Sequence, residues 1–150
     1  MTLRIYGTPV AQGSMKGFPV QRQGRMSVVV TAHNAAQLKP WRQEIASAAL
    51  AAGMTPQMGP LRLTLTFYLR RPPSRPKKYT EVDKRPDLDK LTRTVCDALT
   101  SVAWQDDAQI VALEARKVYA TEKEPEGVAI LVTRSQVSYK TPRYHRPEEA

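Results

Sequence analysis

The sequence predicts one α+β domain, a mixed β-sheet of about five strands with two main helices, over residues 1–133. Three segments carry that prediction. LRLTLTFYL alternates strictly, with Leu61, Leu63, Leu65, Phe67 and Leu69 on one side and Arg62, Thr64, Thr66 and Tyr68 on the other, the period of a half-buried strand. LDKLTRTVCDALTSV sets Leu88, Leu91, Val95, Leu99 and Val102 on one helical stripe. GVAILVT (Gly127–Thr133) is apolar without a break, as central strands are. With 150 residues and 41% hydrophobic content, the chain can bury one modest core.

In chain order, TLRIYG (Thr2–Gly7) reads as a first strand with Leu3 and Ile5 on one face. TPVAQGSMKGFPV carries glycines and prolines and reads as loop, and SVVVTA (Ser27–Ala32) as a short β-branched strand. A helix follows from about Lys39 to Ala52, with Pro40 in its first turn, Gly53 past its end, and Trp41, Ile45, Ala48, Ala49 and Ala52 at three- and four-residue steps. After the Leu61–Leu69 strand, Arg70–Pro86 holds seven Lys or Arg and four Pro, so it is a long basic loop without regular structure. The second helix covers Leu88–Val102, QIVALEARKVYA (Gln109–Ala120) is a strand, and TEKEPEG is the turn into Gly127–Thr133. Residues 134–150 lack an apolar pattern and read as a basic tail.

The 23 Lys and Arg against 14 Asp and Glu leave a net charge of +9, the footprint of a protein that meets a polyanion. A single cysteine, Cys96, allows no internal disulfide and all but excludes cysteine-based zinc binding. Cys96 borders the apolar stripe and reads as structural. MTLRIYGTPV lacks the pattern of a signal peptide, and no apolar run nears the ~18 residues of a membrane span, so the expectation is a cytoplasmic protein with no membrane partner.

Against this basic background, two acidic pairs stand beside apolar segments: Asp87 with Asp89 at the mouth of the second helix, and Asp106 with Asp107 ahead of the next strand. Singly, Asp87 could cap the helix, Asp89 could favour its first turn, and Asp106-Asp107 could form a turn. Together they suit a hard divalent cation such as Mg²⁺, which takes oxygen ligands. A helix of about 14 residues is roughly 21 Å long, so the following strand must run antiparallel to it, or the chain must fold back sharply, for the pairs to meet.

The run RPDLDKLTRTVCDAL…WQDDAQIVALEARK resembles the RusA family of Holliday junction resolvases. Asp87-Leu88-Asp89 matches the first acidic pair of its D-x-D-N-L-x-K pattern, Asp97-Ala98-Leu99 its D-A-L, Asp106-Asp107-Ala108-Gln109 its D-D-x-Q, and Lys117 a later lysine. GTPVAQGSMKG is similar to the start of phage-type members. The resemblance implies a homodimer that binds four-way DNA junctions and makes paired symmetric nicks with Mg²⁺, or Mn²⁺ in its place, and no organic cofactor, in recombination and repair. It puts the metal ligands at Asp87, Asp89 and Asp107 with Asp106 beside them, and implies a bacterial setting, phage or prophage genes included. Two positions depart from the pattern: Lys90 stands for the family asparagine and Arg93 for its lysine. Arg93 can clamp a phosphate but cannot give up a proton near neutral pH, and it could equally pair with Asp89 on the helix surface.

DNA contacts fall on Arg70, Arg71, Arg75, Lys77, Lys78, Lys84 and Arg85 of the basic loop, with Lys90 and Lys117. Tyr79 and Phe18 could stack on exposed bases or simply pack. Trp41 and Trp104 read as core or dimer-interface residues, and His33 and His145 offer no metal spacing. Two alternatives stay open, a junction-binding protein that has lost catalysis and a nuclease for other branched DNA.

Overall fold

The computed structural model describes residues 1–135 apart from Ser14 and His33. Their order is β1 (Thr2–Tyr6), β2 (Met15–Arg22), β3 (Arg25–Ala32), α1 (Ala35–Ala51), β4 (Leu61–Leu69), α2 (Leu88–Leu99), a 3-10 turn (Asp107–Gln109), β5 (Ile110–Tyr119) and β6 (Gly127–Arg134). Four strands form a mixed sheet in the order β1-β6-β4-β5, and β2-β3 form a separate two-stranded ribbon. β4 runs parallel to β5 and antiparallel to β6, which also pairs antiparallel with β1. The expectation that Gly127–Thr133 is central is met, since β6 lies between β1 and β4.

The alternation of β4 translates directly into burial. Leu61, Leu63, Leu65 and Phe67 are fully buried, and Leu69 is nearly so. Their side of the sheet packs with Trp41, Ile45 and Ala49 of α1 and Leu91, Val95, Ala98 and Leu99 of α2 in one core with Val128, Ile130 and Val132. Each fully buried large apolar side chain contributes about 1.5–3 kcal/mol against leaving it exposed. Gly127 sits at φ 149, and a Cβ there would lie 2.0 Å from the Ile5 carbonyl oxygen, so the close approach of β6 to β1 excludes a side chain.

Several boundaries differ from the sequence reading. Met15–Arg22, expected as loop, is strand β2, closed onto β3 by a tight turn whose central residues Gln23 and Gly24 both have positive φ. The ribbon joins no other sheet, so the main sheet has four strands, close to the about five expected, and the α+β class holds. α1 begins at Ala35, four residues early, and Pro40 lies inside it rather than in its first turn. α2 stops at Leu99, short of Val102, because Thr100–Trp104 turns back on itself, with Ser101 N donating to the Trp104 carbonyl. Arg134, assigned to the tail, closes β6, and Ser135 N donates to the Pro60 carbonyl. Residues 136–150, His145 among them, lie outside the described residues, as does His33. Among the described residues no helix is long and apolar enough to cross a membrane.

Candidate functional site

Asp87 occupies the N-cap position of α2 with extended backbone, but its side chain makes no capping bond. Its carboxylate instead faces Lys90 Nζ at 3.1 Å, both groups half exposed. Asp89 and Arg93 are exposed one turn apart, and no ion pair joins them among the described residues. The surface pairing weighed for these two residues is therefore not formed. Asp97 is held by Arg42 of α1 at 2.8 Å, and Arg42 also bonds Gln12 Oε1. Gln12 N in turn donates to the Lys90 carbonyl, so the 8–13 loop is tied to the start of α2. Asn34 tightens the same loop by accepting from Gly13 N and donating to the Ala11 carbonyl, each at 2.8 Å. A cleft of about 510 Å³ results, lined by Gln12, Asn34, Arg85, Asp87 and Lys90 among others.

The second acidic pair divides its labour. Asp106 caps the 3-10 turn by accepting from Ala108 N, while Gln109 Oε1 accepts from Gln105 N and Asp106 N. Gln109 Nε2 donates to the Gln57 and Gly59 carbonyls and anchors the turn to the body. Asp107 is left outward and exposed, with Oδ1 accepting from Thr100 Oγ1 at 2.9 Å and from Trp104 Nε1 at 2.8 Å. Trp104 is fully buried, as expected of a core residue, yet its one polar atom aims at the acid. Thr100 and Trp104 were not among the candidate site residues. The spacing Trp104-x-x-Asp107 was the available signal, but a sequence does not show which polar group an indole meets. Cys96 lies against this end of the helix, its thiol pushed up to about 12 by burial and by Asp107 and Asp97.

The two acidic pairs do not meet within the chain. β5 runs antiparallel to α2, one of the two arrangements expected to bring the pairs together, but that direction leaves Asp107 at the C-terminal end of the helix and the expectation fails. The residue delivered to the Asp87 end is Lys117, whose Nζ donates to the Lys84 carbonyl at 2.6 Å and the Pro86 carbonyl at 2.8 Å. Two of its three donors thus fasten the segment leading into Asp87. Among the described residues no group of three or more Asp, Glu, His or Cys converges as a metal site.

The basic loop is ordered by its own side chains. Arg71 donates to the Pro76 and Tyr79 carbonyls and stacks on Tyr119, and Arg75 pairs with Asp83 and stacks on Tyr79, which Lys78 also approaches. Tyr79 is therefore engaged by cations of its own loop. Tyr119 N donates to the Thr80 carbonyl, and Glu81 bridges to Val118, so the end of the loop zips onto β5. Arg70, Lys77, Lys84 and Arg85 remain exposed, and Phe18 stands exposed on the ribbon.

The domain is basic overall and carries exposed acids on the outer side of α2. The family model described as endodeoxyribonuclease RusA matches residues 9–133, both acidic segments included. The chain belongs to the RusA family, whose activity is endonucleolytic and directed at branched DNA. It is also 30% identical over 135 residues to the uncharacterized protein YqaN of Bacillus subtilis (strain 168), a match covering 81% of this chain and 89% of that relative.

Proposed function

We propose that this protein is a Mg²⁺-dependent endonuclease that resolves four-way DNA junctions by paired symmetric nicks, acting as a homodimer in recombination and repair. The observation that carries the reading is the RusA match across residues 9–133, which spans α2 and the Asp106-Asp107 turn. A net charge of +9 and the exposed Arg70, Lys77, Lys84 and Arg85 support a phosphate-lined partner. Such contacts seat the backbone without reading its sequence. A water oxygen bonds to phosphorus as the bond between phosphorus and the 3′ oxygen breaks, leaving a 5′-phosphate and a 3′-hydroxyl that a ligase can seal. Arg93, exposed on α2, offers a fixed positive charge for the negative charge that grows on the phosphate. It cannot protonate the leaving oxygen, so that proton comes from Lys90 or solvent. Within one chain the carboxylates do not fit a single Mg²⁺, because Asp107 lies at the far end of α2 from Asp87 and Asp89.

The test is a labelled four-way junction incubated with Mg²⁺ and either wild type or Asp89→Asn. Paired, ligatable nicks from wild type alone support the reading. A gel shift with no nicks refutes it and supports a second one, a junction binder that has lost catalysis. The observation favouring that second reading is Lys90, whose ammonium already occupies the Asp87 carboxylate.

A further inference from the structure

The first acidic residue of the chain is Glu44, and the 43 residues before it hold six Lys or Arg. The β2-β3 ribbon lies within that stretch, joins no other sheet and gives no residue to the core. A two-stranded hairpin by itself is at best marginally stable in water. This one nevertheless leaves apolar side chains open: Phe18 is 48%, Val29 43%, Val28 68% and Met26 69% exposed. At its tip, Arg22 and Arg25 stand directly opposite each other across the Gln23-Gly24 turn, on one face, where Cβ atoms lie about 5 Å apart. Like charges so placed repel, and among the described residues no carboxylate pairs with either. An anion held by both guanidinium groups turns that repulsion into attraction.

We propose that the ribbon lies in the major groove of a duplex arm of the junction, with Arg22 and Arg25 on backbone phosphates. The inference rests on the nuclease reading above and deepens it. Size selects the groove. Two strands about 4.8 Å apart, with their side chains, fill the roughly 12 Å width of the major groove and cannot enter the roughly 6 Å of the minor groove. Side chains alternate along a strand, so Phe18, Val20 and Val29 share the face of the two arginines. Apolar side chains on that face suit the thymine methyl groups that line the major groove. Duplex DNA therefore answers both features of the ribbon, its unpaired cations and its open apolar surface.

The root of the ribbon fixes which duplex it can follow. Gly13 and Asn34 stand just outside its two strands, joined by the bond from Gly13 N to Asn34 Oδ1, and both line the cleft that Asp87 and Lys90 also line. Gln12 N donates to the Lys90 carbonyl and fastens this root to the start of α2. Each strand has eight residues, so at about 3.3 Å per residue the tip reaches up to about 26 Å from the cleft. Duplex DNA rises about 3.4 Å per base pair, which makes that reach about eight base pairs. A duplex with one phosphate at the cleft thus has its groove within range of the ribbon along its whole length.

The test measures binding in EDTA, where no strand is cut, to four-way junctions whose arms exceed the ribbon's reach. In a second set of junctions every cytosine is replaced by glucosylated 5-hydroxymethylcytosine, whose bulk fills the major groove and leaves the phosphates unchanged. Wild type should bind the plain junction at least tenfold more tightly than the filled one. Arg22→Gln with Arg25→Gln leaves the turn residues in place, and both positions are exposed, so folding is preserved. That variant should bind both junctions alike, at the wild-type strength for the filled one. Its slope of log affinity against log salt on the plain junction should be lower by about 1.8. A wild type that binds both junctions alike or neither, or a double variant that still prefers the plain one, overturns the inference. A double variant whose DNA-free form sediments differently from wild type also overturns it, and makes the ribbon a contact between copies. Cutting is read separately with Mg²⁺. A wild type that prefers the plain junction yet leaves it whole keeps the ribbon's role and refutes the nuclease reading.

Discussion

Lys117→Met separates two roles that a lysine in this position could have. The side chain reaches from β5 to the carbonyls of Lys84 and Pro86, immediately before Asp87. Hydrogen bonds from a charged donor contribute about 1.5–3 kcal/mol each, and the lower end applies where the site is partly open to water. Two such bonds, less about 2 kcal/mol for fixing a lysine side chain, leave roughly 1–2 kcal/mol of stability. Methionine keeps most of the apolar stem and removes the ammonium. The expected result is a melting temperature lower by about 3–8 °C for a domain of this size. With the approach to Asp87 loosened, single-turnover nicking of a four-way junction should fall at least tenfold while affinity changes less than twofold. If instead the melting temperature holds and the slope of log affinity against log salt drops by about 0.9, Lys117 is a phosphate contact and the anchoring argument is wrong.

Four further outcomes follow from the geometry. Trp104→Phe removes the indole N–H from Asp107 and should slow single-turnover nicking of a four-way junction several-fold, whereas Trp104→Phe nicking at the wild-type rate would show the bond does not position the acid. Leu65→Ala, at a fully buried position between β6 and β5, should cost about 2–5 kcal/mol in urea unfolding. Arg70→Ala with Lys77→Ala, both exposed on the loop, should lower affinity for linear and branched DNA alike and reduce the salt slope by roughly 2, as measured by gel shift. The raised Cys96 thiol, about 12 against an ordinary 9.0, means that the folded state favours the protonated form. Its contribution is complete below about pH 9 and is lost as pH climbs toward 12, so Cys96→Ala should flatten the alkaline limb of stability, and metal-free wild type should react very slowly with thiol reagents at pH 8.

The parts of the fold legible in the sequence are those where one physical demand dominates. β4 alternates because one face is core, and α2 carries its stripe because Leu91, Val95 and Leu99 meet that core. β2 was hidden because Gly17 and Pro19 argue against a strand, and its only partner is the adjacent β3. The start of α1 was hidden because Asn34 spends its amide on the 8–13 loop and leaves the helix without a side-chain cap. The acids of the candidate site were legible as a pattern, but their separation was not. It depends on how the Thr100–Trp104 turn sets the next strand, which neither composition nor periodicity encodes. The structural use of Asp106 was within reach, since Asp106-x-x-Gln109 has the spacing of a capping box.

The pairing of β1 with β6 is the longest-range contact of the sheet. Thr2 lies opposite Leu131, and β6 alone stands between β1 and β4. Without β6 in place, β1 has no partner in the sheet. Closure brings together segments more than 120 residues apart, a non-local step that slows folding relative to local contacts. The edge strand β1 thus depends on the longest-range contact in the sheet.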